Sequence, residues 1–586
     1  MKRKKKELTF EGIGVYPGIA IGTLSISTRS KVEIPKYQIL KPYIGYELRR
    51  FDRALLASKK QIEEILSRID PDLQKEVFSI LEIQKMFLND ATLMSKIKNH
   101  IVEEQINAEW AVEKVVKEME KFFEKINDPY IRERKEDLYF VANRLVKNLR
   151  GEREEDIGES GRDILAAHDL SPLEVVKLHK AGVKGLIVEI GGKNSHTSIT
   201  IRTLELPAVV GVEGFLDHAE EGDEVIVDGI HGVVILNPTR HMVEKYAALR
   251  EEYERRYREL RSYIDVPSVT KDGTKISLLA NVDFVEEIPA VISHKAEGIG
   301  LFRTEFLFLN RDDPPPENEQ FEIYKGVLEK MAPLPVIIRT FDLGADKKTP
   351  FTLYQEDNPA LGLRGVRLAL QYREIFKNQL KALYRAAEYG DLRIMFPMVS
   401  GVWEVRRVKK LIKEVHRELE EEGKSFASHV PIGAMIEVPS AAIIADMLAR
   451  EVDFFSVGTN DLVQYTLAVD RTNEHVEYLF EPLHPAILRL LNQIAESARK
   501  EGIEVGICGE AAGDPVFTVV LLGLGYTSLS MIPHSILKVK KVVRELDSKE
   551  ARELVQKLLL QDTAKKVENV LLDYIEKKLP FLKDLE

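Results

Sequence analysis

The chain of 586 residues holds a single cysteine, Cys508. That excludes an intramolecular disulfide and any metal site built on paired thiolates, and it fits a reducing, cytoplasmic setting. No run of about 18 apolar residues is present, so no helical membrane span is expected. The basic start, Met1-Lys2-Arg3-Lys4-Lys5-Lys6, is followed by no apolar core and does not read as a signal peptide. No repeat of roughly 20–50 residues is evident, which argues against a solenoid. Positive charge is not in excess either: 84 Lys and Arg stand against 95 Asp and Glu, a net charge of −11. An acidic chain is a poor candidate for nonspecific nucleic-acid binding, and its surface suits a basic partner protein instead.

What is present is a well-patterned globular chain, 44% apolar and 31% charged. Its length allows roughly four folding units, fewer if one is a large α/β barrel. Residues 10–30 read as short strands around the Pro/Gly turn Gly14-Val15-Tyr16-Pro17-Gly18-Ile19-Ala20-Ile21-Gly22. From residue 43 the apolar period changes. Ile44, Leu48, Phe51, Leu55, Ile62, Ile65 and Ile69 mark one amphipathic helix; Val112, Val115, Met119, Phe122 and Ile126 mark a second; Leu138, Val141, Leu145 and Leu149 mark a third. Strand signals resume at Ile164–Ala167, Gly185–Val188, Pro207–Val210, Glu224–Val227 and Val233–Leu236. A charged helix is expected over residues 242–264, a solvated linker whose apolar line runs from Tyr246 to Ile264.

After Pro267 strands and helices alternate. Eight strands are expected: Ile276–Ala280, Gly298–Phe302, Val336–Arg339, Arg393–Phe396, Ile432–Ile436, Phe454–Val457, Val505–Ile507 and Ser528–Met531. Eight such units match the (β/α)8 barrel, with an open doubly wound sheet as the alternative. The fold class is therefore multidomain α/β: a small α/β domain with an inserted helical subdomain, then a C-terminal barrel. The expected boundaries are 1–42 and 151–238 for the α/β domain, 43–150 for the insert, 239–266 for the linker and 267–586 for the barrel.

A barrel's chemistry lies at the carboxyl ends of its strands. Those ends carry Arg303-Thr304-Glu305, Arg339-Thr340-Phe341-Asp342, Glu437, Gly458-Thr459-Asn460-Asp461 and Cys508-Gly509-Glu510. Arg303 and Arg339, with Arg364 and Arg471 in loops, suit a small polyanion, because guanidinium forks match phosphate and carboxylate. Glu437 and Asp461, one strand apart, are hard oxygen donors that suit Mg2+; the alternative is that they pair with the arginines. The implied ligand carries both phosphate and carboxylate. Cys508 is either an apolar filler or a general acid or base beside that ligand.

A second cluster is Gly191-Gly192-Lys193-Asn194-Ser195-His196-Thr197-Ser198, ahead of a helix-compatible stretch from Ile199 to Leu204. Glycines admit close backbone approach, hydroxyls donate, a helix start favours an anion, and a neutral imidazole is a nucleophile near pH 7. A phosphohistidine at His196 fits this setting; a structural histidine in a polar turn is the plainer reading.

Together these segments resemble enzyme I of the phosphoenolpyruvate-dependent sugar phosphotransferase system. The likeness covers nearly the whole chain. It rests on Gly14–Gly22, Gly191–Ile199, Gly300–Phe308, Arg339–Gly344, Asp453–Leu462 and Cys508-Gly509-Glu510, in that order. It implies transfer of phosphate from phosphoenolpyruvate to His196, release of pyruvate, and transfer onward to a histidine of the phosphocarrier protein HPr. By the same resemblance Arg303, Arg339, Arg364, Asn460 and Arg471 hold the substrate, Glu437 and Asp461 bind Mg2+, and Cys508 protonates the methylene carbon of the enolate. The insert docks HPr, and the barrel forms a homodimer. The α/β domain is then a swivelling phosphohistidine domain, with a hinge near 238–266. Two departures stand out. The family usually has Arg-Thr where this chain has Lys193-Asn194, which keeps the charge but loses the fork. The basic leader Lys2–Lys6 precedes the family's usual start and is expected to be a disordered arm.

Three rivals remain. A pyruvate phosphate dikinase or phosphoenolpyruvate synthase relative needs an ATP-binding domain, and only about 160 residues, mainly helical in pattern, precede the strands of the histidine domain. A non-catalytic HPr-binding scaffold leaves the filled catalytic positions unexplained. A metal-dependent aldolase-type barrel accounts for Glu437 and Asp461 but not His196.

Overall fold

The computed structural model describes residues 6–27, 35–66, 84–125, 138, 141–142, 144–150, 163–170, 174–175, 178–179, 181–192, 196–308, 313–344, 358–470, 473 and 475–584. They form two compact units, Met1–Tyr257 and Arg258–Glu586. The leader Lys2–Lys5, the Lys193-Asn194 pair and Arg471 lie outside the described residues.

The first unit is built on β1 (Leu8–Glu11), β2 (Ile13–Tyr16), β3 (Ile19–Ile26), β4 (Ile164–Ala167), β5 (Gly185–Val188), β6 (Ala208–Val210), β7 (Glu224–Asp228) and β8 (Val233–Leu236). They form one sheet in the order β1-β8-β7-β3-β4-β5-β6-β2. The run from β3 to β6 is parallel, and the flanking pairs are antiparallel. β4, β5 and β6 are apolar and buried at every position because both faces are covered. Leu165, Leu186, Val188 and Val210 enter one core, while Ile164, Ala166, Ile187 and Val209 enter the other.

Between β3 and β4 the chain forms helices Ile44–Leu66, Ala91–Glu103 and Ala108–Lys125. The described residues between 138 and 150 are helical too. Ala91–Glu103 was not among the expected helices; it buries Leu93, Met94, Ile97 and Ile101 against Phe51, Val112 and Val115. Ile69 and Ile126, at the ends of two expected helices, lie outside the described residues. A charged cluster sits in this bundle: Arg50 donates to buried Glu47 at 2.6 Å, to the Leu149 carbonyl at 3.0 Å and to both oxygens of buried Glu109. The charged helix runs from Arg240 to Arg261. Ile264, expected inside it, lies in the following turn, where its N–H reaches the Arg261 carbonyl.

The second unit closes on itself. β9 (Ser277–Val282), β10 (Ile299–Phe302), β11 (Val336–Arg339), β12 (Leu392–Phe396), β13 (Ile432–Ile436), β14 (Phe454–Val457), β15 (Glu504–Ile507) and β16 (Ser528–Met531) form a closed barrel. All eight pairings are parallel, and the β16–β9 pairing excludes the open-sheet alternative. Alternate residues fill the inside and the outside: Phe454 joins Leu301, Ile337, Met395, Met435 and Cys508 in the interior, while Phe455 joins the outer core under the helices. Gly433 makes room for the inner ring, since a Cβ there would lie 2.3 Å from the Phe454 side chain.

Candidate active site

Each barrel strand delivers its last side chains to one mouth. From β10 comes Arg303, whose Nη1 donates to both oxygens of Asp283, at 2.8 and 3.0 Å. From β11 come Arg339 and, three residues on, Asp342. Both are buried, and Arg339 donates through Nη2 to Glu305 at 2.7 Å and pairs through Nη1 with Asp342 at 3.3 Å. Arg364, on the loop after β11, lays its fork on Asp342: Nε reaches Oδ1 at 3.3 Å and Nη2 reaches Oδ2 at 2.8 Å. Burial opposes the charge on both guanidiniums. The carboxylates of Glu305 and Asp342 around Arg339, and of Asp342 and Asp461 around Arg364, outweigh it and keep both charged. Arg339 Nε, Thr340 Oγ1 and Thr459 Oγ1 are buried with no hydrogen-bond partner among the described residues. Such donors are costly to leave unmade and suit a ligand.

Glu437 follows β13 and is 1% exposed. Its Oε1 accepts from the Met398 N–H at 2.5 Å. Burial, then the neighbouring Asp461 and Asp342 charges, push its carboxyl above the ordinary range. Asp461, in the first turn of helix Thr459–Leu467, pairs with Arg364 Nη1 at 3.3 Å. The pairing alternative therefore describes Asp461 in part, whereas the contact seen for Glu437 is to backbone. Arg303, Arg339 and Arg364 face Asp283, Glu305, Asp342, Glu437 and Asp461, a formal balance of −2. Two crowded carboxylates, one with an unfavourable charge, fit a hard divalent cation that completes its shell with water and substrate oxygens.

Asn460 is held by reciprocal hydrogen bonds with Glu510: its Nδ2 donates at 2.9 Å, and the Glu510 N–H returns to its Oδ1 at 3.3 Å. Cys508 is 2% exposed and directs Sγ to the Val457 carbonyl at 3.6 Å. Burial pushes its thiol up to about 11, so it is protonated at neutral pH. That suits an acid and not a nucleophile. Two glycines let these groups meet. A Cβ on Gly458 would lie 2.7 Å from Glu437 Oε2, and one on Gly509 would lie 2.8 Å from the Thr459 backbone nitrogen.

The histidine cluster belongs to the first unit. β5 is followed by Glu189, which accepts from the Leu216 N–H at 2.9 Å and meets His168 Nδ1 at 2.8 Å. Gly191 follows with φ +132°, a conformation glycine tolerates. The helix then runs from His196 to Thr203, starting three residues earlier than expected, so His196 opens it instead of sitting in the loop before it. Local bonds fix this start: Thr197 Oγ1 donates to the Leu170 carbonyl, and buried Ser198 Oγ to the Gly192 carbonyl at 2.8 Å. A hydroxyl turned back onto the preceding loop explains the earlier helix start.

Of the expected residues, Arg339, Arg364, Glu437, Asp461 and Cys508 share the barrel mouth through these contacts, with Arg303 and Asn460 at its rim. His196 lies in the other unit. Glu305, Asp342 and Glu510 were legible as polar strand-end residues but had been given no part; each holds one of the expected groups in place.

Three family models match in chain order: PEP-utilising enzyme, N-terminal, over residues 11–134; its mobile domain over 160–232; and its PEP-binding domain over 257–548. A phosphoenolpyruvate-protein phosphotransferase of Haemophilus influenzae is 39% identical over 566 residues, covering 96% of this chain and 98% of the relative. The chain belongs to the phosphoenolpyruvate-protein phosphotransferase family. A second member, from Bacillus subtilis, is 39% identical over 562 residues, covering 95% and 98%. The solution structure of an enzyme I protein, nEIt, is 35% identical, covers 42% of this chain and 99% of its own, and has a TM-score of 0.36. All the barrel residues discussed above fall within the family's PEP-binding domain, and His196 falls within its mobile domain. No helix among the described residues is long and apolar enough to cross a membrane.

Proposed function

We propose that the chain moves the phosphoryl group of phosphoenolpyruvate to its own His196, releases pyruvate, and passes the phosphoryl group to a histidine of HPr, the first step of sugar uptake by the phosphotransferase system. The observation that carries this is the barrel mouth, where charged guanidiniums and the Glu437–Asp461 pair face one another at the strand ends. Arg303, Arg339, Arg364, Asn460 and Arg471 hold phosphate and carboxylate. Glu437 and Asp461 would hold Mg2+, which when bound supplies neutralisation of the phosphoryl charge.

The neutral imidazole of His196 attacks phosphorus in line; the N–P bond forms as the P–O bond to the enol oxygen breaks, leaving the enolate. Cys508 gives its proton to the methylene carbon, producing pyruvate, and regains one from water. The buried, protonated thiol supports this role. In the second half-reaction the N–P bond on His196 breaks as a new N–P bond forms to the HPr histidine, and His196 returns to its neutral imidazole. The α/β domain of residues 1–42 and 151–238 carries the phosphohistidine, and the insert 43–150 docks HPr. The linker 239–266 lets His196 visit donor and acceptor in turn, and the barrel 267–586 forms a cytoplasmic homodimer.

The test is incubation with labelled phosphoenolpyruvate and Mg2+, without ATP, beside His196→Ala. Acid-labile label on the wild type alone, with pyruvate released, is the expected result. Label only from ATP sinks the proposal in favour of the dikinase reading, and label from neither donor leaves the scaffold.

A further inference from the structure

We propose that Tyr465 is a positioning residue for the phosphoenolpyruvate site, holding both the guanidinium of Arg364 and the turn that leads to it. The proposal rests on the reading of the barrel given above. Tyr465 lies four residues after Asp461 on helix Thr459–Leu467, so both side chains share one face. Both reach Arg364 Nη1, Asp461 Oδ1 at 3.3 Å and the Tyr465 hydroxyl at 3.0 Å. Nε and Nη2 are already taken by Asp342.

Guanidinium has only donors, so the phenol oxygen accepts from Nη1. Its own proton is thereby directed to the Ala360 carbonyl, 2.5 Å away. Ala360 belongs to the turn Pro359–Leu361, just ahead of Arg364. One hydroxyl therefore ties together the helix bearing Asn460 and Asp461, the Arg364 turn, and the guanidinium. Of the five N–H groups on Arg364, four are engaged by the described residues, and the second hydrogen on Nη2 has no partner among them. If Asp461 were to hold a cation it would free its Nη1 hydrogen for the substrate, and the Tyr465 hydroxyl would still fix Nη1. Its role is to keep the fork aimed once the ion pair has opened.

Tyr465→Phe removes the hydroxyl and keeps the ring. In a His196→Ala background, where no transfer follows binding, calorimetry with phosphoenolpyruvate and Mg2+ should show about tenfold weaker binding, the loss typical of one hydrogen bond to a charged group. With His196 intact, kcat/KM for phosphoenolpyruvate should fall by a similar factor, mainly through KM, and transfer from phosphohistidine to HPr should not change. In an Arg364→Lys background the same substitution should add little, since its target is gone. Equal affinity with and without the hydroxyl, additive losses in the Arg364→Lys background, or an equal loss in both half-reactions overturns the proposal. A chain that binds no phosphoenolpyruvate at all instead refutes the functional reading on which it rests.

Discussion

Gly509 offers the sharpest test of how the barrel mouth works. Its backbone, at φ −79° and ψ 177°, is one any residue adopts, so alanine meets no conformational penalty. The obstacle is space. A Cβ there would lie 1.9 Å from Thr459 Oγ1 and 2.8 Å from the Thr459 backbone nitrogen. Rotating the hydroxyl relieves the first contact but not the second. Ordinary contact begins at 3.4 Å, so the backbone at Thr459 must retreat by about 0.6 Å. Thr459 opens the helix that carries Asn460 and Asp461, and the shift passes directly to both. Overpacking of this kind costs about 1–3 kcal/mol of stability. A misplacement of about 1 Å at a reacting centre costs on the order of a hundredfold in rate. Gly509→Ala should therefore lower kcat/KM for phosphoenolpyruvate by roughly ten- to a hundredfold while the barrel still folds. Pyruvate release coupled to NADH oxidation by lactate dehydrogenase reads the first half-reaction. Transfer from pre-phosphorylated protein to HPr reads the second, which should be unaffected. Wild-type kcat/KM, or equal losses in both half-reactions, would refute the argument that this glycine protects the geometry of Asn460 and Asp461.

Cys508→Ala should still accept label on His196 but release pyruvate slowly, because the enolate has lost its acid; rapid-quench measurement of both products checks this, and fast pyruvate release removes Cys508 from the mechanism. His534 makes a stability prediction: burial, then Lys538 and the neighbouring His294, pull its imidazole down from 6.5 to about 4. The unfolded chain therefore takes up a proton first as pH falls, and barrel stability should be full above pH 6.5 and decline towards pH 4. The loss should be on the order of 1–2 kcal/mol, trimmed because the ring keeps some contact with water. His534→Gln should flatten that part of the slope in urea midpoints at pH 7 and pH 5, and an unchanged slope would rule the residue out as its source.

Much of the barrel was legible because period and composition act locally. Val336–Arg339, Ile432–Ile436, Phe454–Val457 and Ser528–Met531 occupy the expected positions to the residue, each a short apolar run bounded by turn residues. The helix Ala91–Glu103 was missed because Leu93, Met94, Ile97 and Ile101 lie between polar residues in a segment too short to stand out. At the histidine cluster the start of the helix was misplaced. Intrinsic preference allows Thr197 and Ser198 on either side of a boundary, and their bonds to Leu170 and Gly192 decide it.

The residue types of the candidate site are a property of the sequence by itself: arginines, carboxylates and one thiol placed where strands end, and a histidine framed by glycines and hydroxyls. Their electrostatic state is not. Asp342 is an ordinary aspartate until folding sets it between Arg339 and Arg364, residues 3 before and 22 after it in the chain. Glu437 is an ordinary glutamate until burial beside Asp461 raises its carboxyl. Tyr465 is one tyrosine among 19 until the barrel brings it to a guanidinium 101 residues away. Pattern reports which face of an element is apolar, because that depends on neighbours in the chain. Charge state and hydrogen-bond direction depend on neighbours in space, and only closure of the barrel supplies those.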